Sequence, residues 1–296
     1  NENNIHYIID DGLFINDNEI IAGESAKKAP TKIETVKKAL FLKQEQKDEI
    51  RKAIEKYKLI KDGDRIAVCI SGGKDSMLLA RMLKMAKDYR LYDFSPEYIM
   101  MNPGYMERDM KQMEFINLLF DFPVSYFNTN VFDDVDEIGK NPCFFCARMR
   151  RGHLYRKAKE LGCNKIALGH HYDDVIETTL MSMLYGAQAR TMLPVIKSDN
   201  IEDMKLIRPM YLIREDDINL WKNRNNLNFV KCACRLNTKD GGEDTIRLRI
   251  KKLIRDLTNE NPAVPANIFG SMSGIDLEHV LSYKIDGVTH SILDDM

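Results

Sequence analysis

This sequence predicts an α/β fold, an open, mostly parallel sheet with helices on both faces, and three observations carry that expectation. Short apolar runs bounded by turn residues alternate with stretches of helical periodicity from about residue 46 to residue 212. The first run, Ile66-Ala67-Val68-Cys69-Ile70, is apolar on both faces, as a strand inside a parallel sheet has to be. The hexapeptide Ser71-Gly72-Gly73-Lys74-Asp75-Ser76 follows it directly and opens a helical pattern, so the chain passes from strand to helix where an anion can be held.

Residues 1–45 read as an N-terminal extension. Tyr7-Ile8-Ile9-Asp10-Asp11-Gly12-Leu13-Phe14-Ile15 sets an Asp-Gly turn between two apolar stretches, which predicts a hairpin. From about 33 to 59 the chain is charged, with Ile50, Ala53, Ile54 and Tyr57 at helical spacing, so a helix with a solvated face follows. The core domain, 46–212, runs through a strand at 66–70 and a helix carrying Leu78, Leu79, Met82, Leu83 and Met85. A strand at Tyr98-Ile99-Met100-Met101 comes next and ends in Asn102-Pro103-Gly104. A helix near 108–119, a strand at 124–127, a helix ending near Leu161, a strand at 166–168 and a helix at 174–184 complete the alternation. Beyond Arg208-Pro209 the pattern predicts a mainly helical C-terminal region, 213–296.

The 296 residues hold 44 Lys and Arg against 45 Asp and Glu, a formal net charge of −1. That balance excludes a nonspecific nucleic-acid coat, whose affinity comes from neutralising phosphates, but not an enzyme with one basic face. Hydrophobic residues at 44% and charged residues at 30% are the proportions of a globular protein. No run approaches the roughly eighteen apolar residues of a membrane helix. The first residues lack the basic-then-apolar pattern of a secretory signal. A soluble cytoplasmic protein with no membrane partner is the expectation.

The two glycines of the hexapeptide let backbone approach an anion, and the N–H groups of the helix start point at it. Lys74 adds a positive charge, and Ser76 a hydroxyl for phosphate or magnesium-bound water. A Gly-Gly turn with a capping serine is the plainer alternative, but the strand-to-helix setting of the whole hexapeptide favours phosphate. Gly169-His170-His171-Tyr172-Asp173-Asp174 likewise leaves a strand and enters a helix, so both loops are expected at the carboxyl ends of parallel strands, where ligands bind. Asp174 is a candidate for holding magnesium or moving a proton. Asp173 reads equally well as a helix N-cap.

Cys143-Phe144-Phe145-Cys146 precedes a cationic run of Arg148, Arg150, Arg151, Arg156, Lys157 and Lys159, and Cys232-Ala233-Cys234 comes later. Spacing leaves three readings open. All four thiolates complete a tetrahedral zinc set, which spacing alone favours. Cys143 and Cys146 form a redox pair. Or Cys143, Cys146 and one of Cys232 or Cys234 hold a 4Fe-4S cluster with one iron open. Cys69 and Cys163 read as buried small hydrophobes. The cations beside the first pair are placed to position RNA phosphates, and Arg150 or Arg151 also to steady those of ATP. A second basic group, Arg247, Arg249, Lys251, Lys252 and Arg255, fits RNA or a solvated helix face equally.

The hexapeptide resembles the pyrophosphate loop of the N-type (PP-loop) ATP pyrophosphatases, whose fold is adenine nucleotide alpha hydrolase-like. The resemblance implies ATP with Mg2+, its phosphates among Ser71, Gly72, Gly73, Asp75 and Ser76 beside the charge of Lys74. It also implies adenine by the backbone near Met100 and Met101, and Gly169 and His170 in the same nucleotide site. Several motifs together resemble the TtcA-type tRNA 2-thiocytidine synthetases, from about residue 47 to residue 280. They are Cys143 to Tyr155, Lys165 to Asp174, Arg208-Pro209-Met210 and Arg214-Glu215-Asp216-Asp217-Ile218. That likeness implies adenylation of a base carbonyl, C2 of an anticodon-loop cytidine, and replacement of its oxygen by sulfur. The cluster ligands it implies are Cys143, Cys146 and Cys234 or Cys232, and the catalytic candidates are Asp75, Asp174 and Arg150. It further implies a tRNA substrate, a sulfur donor (sulfur from a cysteine desulfurase, or inorganic sulfide) and a homodimer. The chain departs from the family in its later cysteines, C-x-C where C-x-x-C is common, and in forty-odd N-terminal residues without a counterpart. The rival functions are a PP-loop tRNA-modifying ligase and a nucleotide- and tRNA-binding module, each with a structural four-cysteine zinc site.

Overall fold

A computed structural model gives the fold and describes residues 7–10, 13–16, 19–22, 44–132, 142–198, 201, 203–225, 227–229 and 245–291. The expected hairpin is present as β1 (Tyr7–Asp10) and β2 (Leu13–Asn16), paired antiparallel with Tyr7 opposite Asn16. A third strand, β3 (Glu19–Ala22), extends it to a small antiparallel sheet. Of the long charged stretch, α1 (Gln44–Tyr57) is helical, and 23–43 lie outside the described residues. Ile50, Ala53 and Ile54 are buried on its inner face, as their spacing predicts.

The alternating elements follow in order: β4 (Asp64–Ile70), α2 (Lys74–Asp88), β5 (Phe94–Asn102), α3 (Glu107–Leu119), β6 (Val124–Asn128), α4 (Pro142–Glu160), β7 (Lys165–Ala167) and α5 (Tyr172–Gly186). Then come β8 (Val195–Lys197), β9 (Lys205–Ile207) and α6 (Glu215–Arg224). The central sheet has six strands in the order β6-β5-β4-β7-β9-β8, parallel except for β8, which pairs antiparallel with β9 at one edge. Pro96 is accommodated within β5 because it lies before Tyr98, where pairing with β6 begins.

Side chains alternate across the sheet and build a core on each face. Ile66, Val68 and Ile70 of β4, with Tyr98 and Met100 of β5, pack against Met77, Leu78 and Leu83 of α2 and Trp221 of α6. Ala67, Cys69 and Ile99 pack on the opposite face with Ala158 of α4 and Cys163. Burying each large aliphatic side chain contributes about 1.5–3 kcal/mol, so these two layers hold the sheet in place. Burial pushes the thiol of Cys69 up to about 12, with Cys163 adding to the effect. It pushes that of Cys163 up to about 11, helped by Glu97. Both are inert core residues, as expected from their setting.

The chain divides into two compact units, one of residues 1–172 and 193–243, the other of 173–192 and 244–296. The second contains most of α5, α7 (Ile246–Glu260), α8 (Val264–Ser271) and an antiparallel hairpin of β10 (Ser282–Ile285) and β11 (Val288–Ser291). Thr245 caps α7, its hydroxyl accepting from the Leu248 N–H at 3.3 Å, and Ile250 and Ile254 are buried. The terminal hairpin adds a two-stranded element to the mainly helical C-terminal region expected. Its signal was present, since Asp286-Gly287 supplies the two positive φ angles, 50° and 83°, that a tight hairpin turn requires. Among the described residues no helix is long and apolar enough to cross a membrane.

Candidate nucleotide and thiol site

Strand β4 sits between β5 and β7, so the chain leaves it in one direction and later returns on its other side. Where the order reverses in this way, the loops at the carboxyl ends of the two strands separate and open a crevice. The loop after β4 is the Gly-Gly hexapeptide; the loop after β7 is the His-His segment. Topology therefore brings together two motifs almost a hundred residues apart.

Gly72 has φ +80, a left-handed conformation that glycine adopts without strain, and a Cβ there would lie 2.9 Å from the Met113 side chain. Gly73 caps α2 without any side-chain hydrogen bond. Ser76 was expected to offer its hydroxyl to phosphate or magnesium-bound water. In the structure that hydroxyl is committed to the loop: it donates to the Gly73 carbonyl at 3.0 Å, accepts from the Ser71 N–H at 3.1 Å and lies 3.1 Å from Ser71 Oγ. Ser76 is buried and holds the loop's shape. Gly169 has its own reason to be glycine: a Cβ there would lie 3.0 Å from the Asp75 carbonyl carbon and the Ser76 nitrogen. The exit from β7 thus runs directly against the start of α2.

Lys74 Nζ donates to Asp75 Oδ1 at 2.8 Å and to Glu215 Oε1 at 3.1 Å. Burial alone lowers its pKa, but the two carboxylates outweigh that effect and raise it, so the ammonium stays charged at neutral pH. Glu215 belongs to the motif Arg214 to Ile218 quoted above, but its pairing with Lys74 was not expected; it lies in the acidic first turn of α6. Buried His171 faces the same carboxylate, with Nε2 3.9 Å from Asp75 Oδ1. His170 Nδ1 accepts from Arg208 Nε at 3.3 Å, and Arg208 also donates to the Leu193 carbonyl. Met101 is buried at the end of β5, paired with Phe127.

After β5, Asn102 builds the turn toward the thiols: its Oδ1 accepts from the N–H groups of Gly104 at 3.0 Å and Tyr105 at 2.8 Å. Phe132 lies 3.4 Å from a Cβ built on Gly104, and its ring meets Tyr105 edge-on at 5.8 Å. Cys146 is buried in this cluster with Val131 and Phe132, flanked by Tyr105, Phe145 and Met149. Backbone positions 143 and 146 are one turn apart at the start of α4, which suits two ligands of one metal centre. The Cys143 side chain, Cys232 and Cys234 lie outside the described residues. A thiol in apolar, water-poor surroundings fits iron-sulfur ligation, where burial tunes the potential. Arg150, one turn beyond Cys146, donates to Tyr105 Oη at 3.5 Å. Arg148, Arg151, Arg156 and Lys159 are exposed along the same helix.

The second basic group is split. Arg249, Lys251, Lys252 and Arg255 are exposed on α7, but Arg247 Nη1 donates to Asp174 Oδ1 at 2.8 Å, and Arg247 Nε lies 3.7 Å from Glu177. Asp174, expected to hold magnesium or move a proton, is thus one partner in an ion pair of the second unit. Asp173 and Asp174 both sit inside the first turn of α5, where the helix dipole favours acids, rather than at its cap.

A strand-glycine loop-helix at the switch point of a parallel sheet is the arrangement of a nucleotide-binding α/β protein, and a model of the PP-loop domain matches residues 42–240. The chain is 38% identical over 237 residues to a tRNA-cytidine(32) 2-sulfurtransferase 1 of Francisella philomiragia, covering 78% of this chain and 90% of that one. It is 35% identical over 247 residues to a tRNA-cytidine(32) 2-sulfurtransferase 2 of Francisella tularensis subsp. novicida, covering 82% and 95%. In fold it is similar to the U34-tRNA thiolase NcsA of Methanococcus maripaludis, solved with its [4Fe-4S] cluster: TM-score 0.61, 23% identity, 79% of this chain and 81% of that one. The chain belongs to the tRNA-cytidine(32) 2-sulfurtransferase family of PP-loop enzymes.

Proposed function

We propose that this enzyme uses ATP to adenylate the C2 oxygen of a cytidine in the tRNA anticodon loop and replaces that oxygen with sulfur. The observation that carries the reading is the placement, within one compact unit, of the glycine loop and of a buried thiol on the basic helix α4. The loop backbone and Lys74 hold the β- and γ-phosphates of ATP, and Mg2+ near Asp75 spreads their charge. The base oxygen attacks the α-phosphate, pyrophosphate leaves, and a poor leaving group has become AMP. A 4Fe-4S cluster on Cys143, Cys146 and Cys234 or Cys232 supplies, when bound, the sulfur that displaces AMP from the activated carbon.

The chain's own groups do the rest. Arg150, whose Nη2 lies 3.5 Å from Tyr105 Oη, is the residue of α4 assigned to the developing phosphate charge. The exposed cations of α4 take tRNA phosphates while the base is turned out of its stack. The sulfur donor is a desulfurase-derived persulfide or inorganic sulfide, and the working form is a cytoplasmic homodimer.

The deciding measurement is iron, zinc and acid-labile sulfide content after anaerobic purification, paired with nucleoside analysis of tRNA incubated with ATP. Iron and sulfide in 4Fe-4S proportion, lost in Cys143→Ala together with 2-thiocytidine formation, is the expected result. One zinc without sulfide in the active protein would sink the cluster reading and leave the zinc-bearing ligase or binding module in its place.

A further inference from the structure

Lys74 carries one positive charge and divides it between two elements far apart in sequence, the start of α2 and the start of α6. Neither carboxylate is deeply buried: the side chains of Asp75 and Glu215 are 34% and 20% exposed. Ion pairs this open exchange partners readily, and phosphate oxygens with higher charge density attract an ammonium more strongly than a carboxylate does. A polyphosphate seated on the loop therefore meets a lysine already engaged, beside a glutamate that repels it.

From Glu215 the consequence runs along α6. Ile218 and Trp221 are buried in the main core, Asn225 Nδ2 donates back to the Trp221 carbonyl at 2.7 Å, and the Trp221 ring stacks on Phe229 at 5.6 Å. Phe229 is three residues before Cys232 in the sequence. One short helix thus joins the phosphate loop to the chain that leads into the second cysteine pair.

We propose that Glu215 is a positioning residue that competes with the nucleotide's phosphates for the Lys74 ammonium, so that filling the loop releases Glu215 from Lys74 and is felt at Trp221. The inference rests on the nucleotide reading of the loop. It goes further by giving Glu215 a role and by linking occupancy of the loop to α6.

Trp221 is the only tryptophan of the chain, so emission excited selectively at tryptophan, beyond tyrosine absorption, reports on α6 alone. The experiment titrates wild type, Glu215→Gln and Lys74→Met with a non-hydrolysable ATP analogue, with inorganic tripolyphosphate and with AMP. Bound ligand is measured separately by equilibrium dialysis, and folding by circular dichroism. The expected outcome is a shift in wild-type emission with the analogue and with tripolyphosphate but not with AMP. Both variants should show the shifted emission without ligand, and Glu215→Gln should bind tripolyphosphate about threefold to tenfold more tightly. Weaker binding by Glu215→Gln would overturn the proposal, as it would make Glu215 part of the binding surface. So would wild-type emission that ignores bound analogue, and either result would leave the ATP reading standing. Dialysis showing no bound analogue in wild type would overturn both.

Discussion

Lys165 and Lys74 lie at opposite ends of the strands β4 and β7, and each bonds an aspartate of the same polypeptide stretch. At the amino end, Lys165 Nζ donates to Asp64 Oδ2 at 2.5 Å and to the Leu59 carbonyl at 2.8 Å. Asp64 also accepts from the Lys61 N–H at 2.6 Å and from Asn164 Nδ2 at 2.9 Å, and Lys165 and Asp64 are 4% and 5% exposed. At the carboxyl end, the Lys74 side chain is 21% exposed and its partners Asp75 and Glu215 are 34% and 20% exposed. The same pair of residue types serves two purposes. A charge removed from water has to be fully and permanently bonded, whereas one left partly in water is free to change partners. The first end locks the strands together, and the second keeps the exchangeable charge that the proposed phosphate site requires.

The largest test of that contrast is Lys165→Met, which strands the Asp64 carboxylate inside the protein and should cost about 3–5 kcal/mol of stability by urea unfolding. Nucleotide affinity of the folded fraction should stay unchanged; a cost below about 1 kcal/mol would erase the difference between the two ends. Acid sharpens it further. Burial alone raises the Asp64 pKa, but its bonds to Lys165, the Lys61 N–H and Asn164 outweigh burial and lower it below its ordinary value of 3.8. The stabilisation is therefore complete above 3.8 and lost as pH falls through the lower folded value. The stability gap between wild type and Asp64→Asn should hold at neutral pH and close only in that acid range.

At the other end, Gly169→Ala forces a methyl against the Asp75 and Ser76 backbone, an overpacking worth about 1–3 kcal/mol. It should appear mainly as weaker ATP binding by calorimetry, and undiminished affinity would mean that the loop yields freely. Ser76→Ala removes the hydroxyl that ties Ser71 to Gly73 and should cost about 1 kcal/mol, shared between stability and nucleotide affinity. Smallest is the alkaline response. Because Lys74 is raised above 10.5, its contribution is complete below that pH and lost only as pH climbs through the folded value. Nucleotide affinity should show no lysine titration between about pH 6 and 9.

Much of this was legible without coordinates. The apolar run 66–70, the hexapeptide and the spacing of Cys143 and Cys146 are local patterns, and each fits the backbone observed there: a strand, a strand-to-helix loop and one helical turn. The alternation of elements fixed the class of fold for the same reason, because a buried parallel strand cannot tolerate polar residues on either face. Glu215 was not legible as a partner of Lys74, 141 residues away, nor Arg247 as a partner of Asp174, 73 residues away. A charged side chain carries no sign of which distant charge it will meet. That Ser76 braces the loop with its hydroxyl, and that Gly169 is small to admit α2, likewise depends on the distance between two strand ends. The sequence alone determined the strand-to-helix setting of the glycine loop, since that pattern belongs to neighbouring residues. Only the tertiary structure decided which charges are locked and which remain exchangeable, since burial and pairing exist only once the sheet has brought separate segments together.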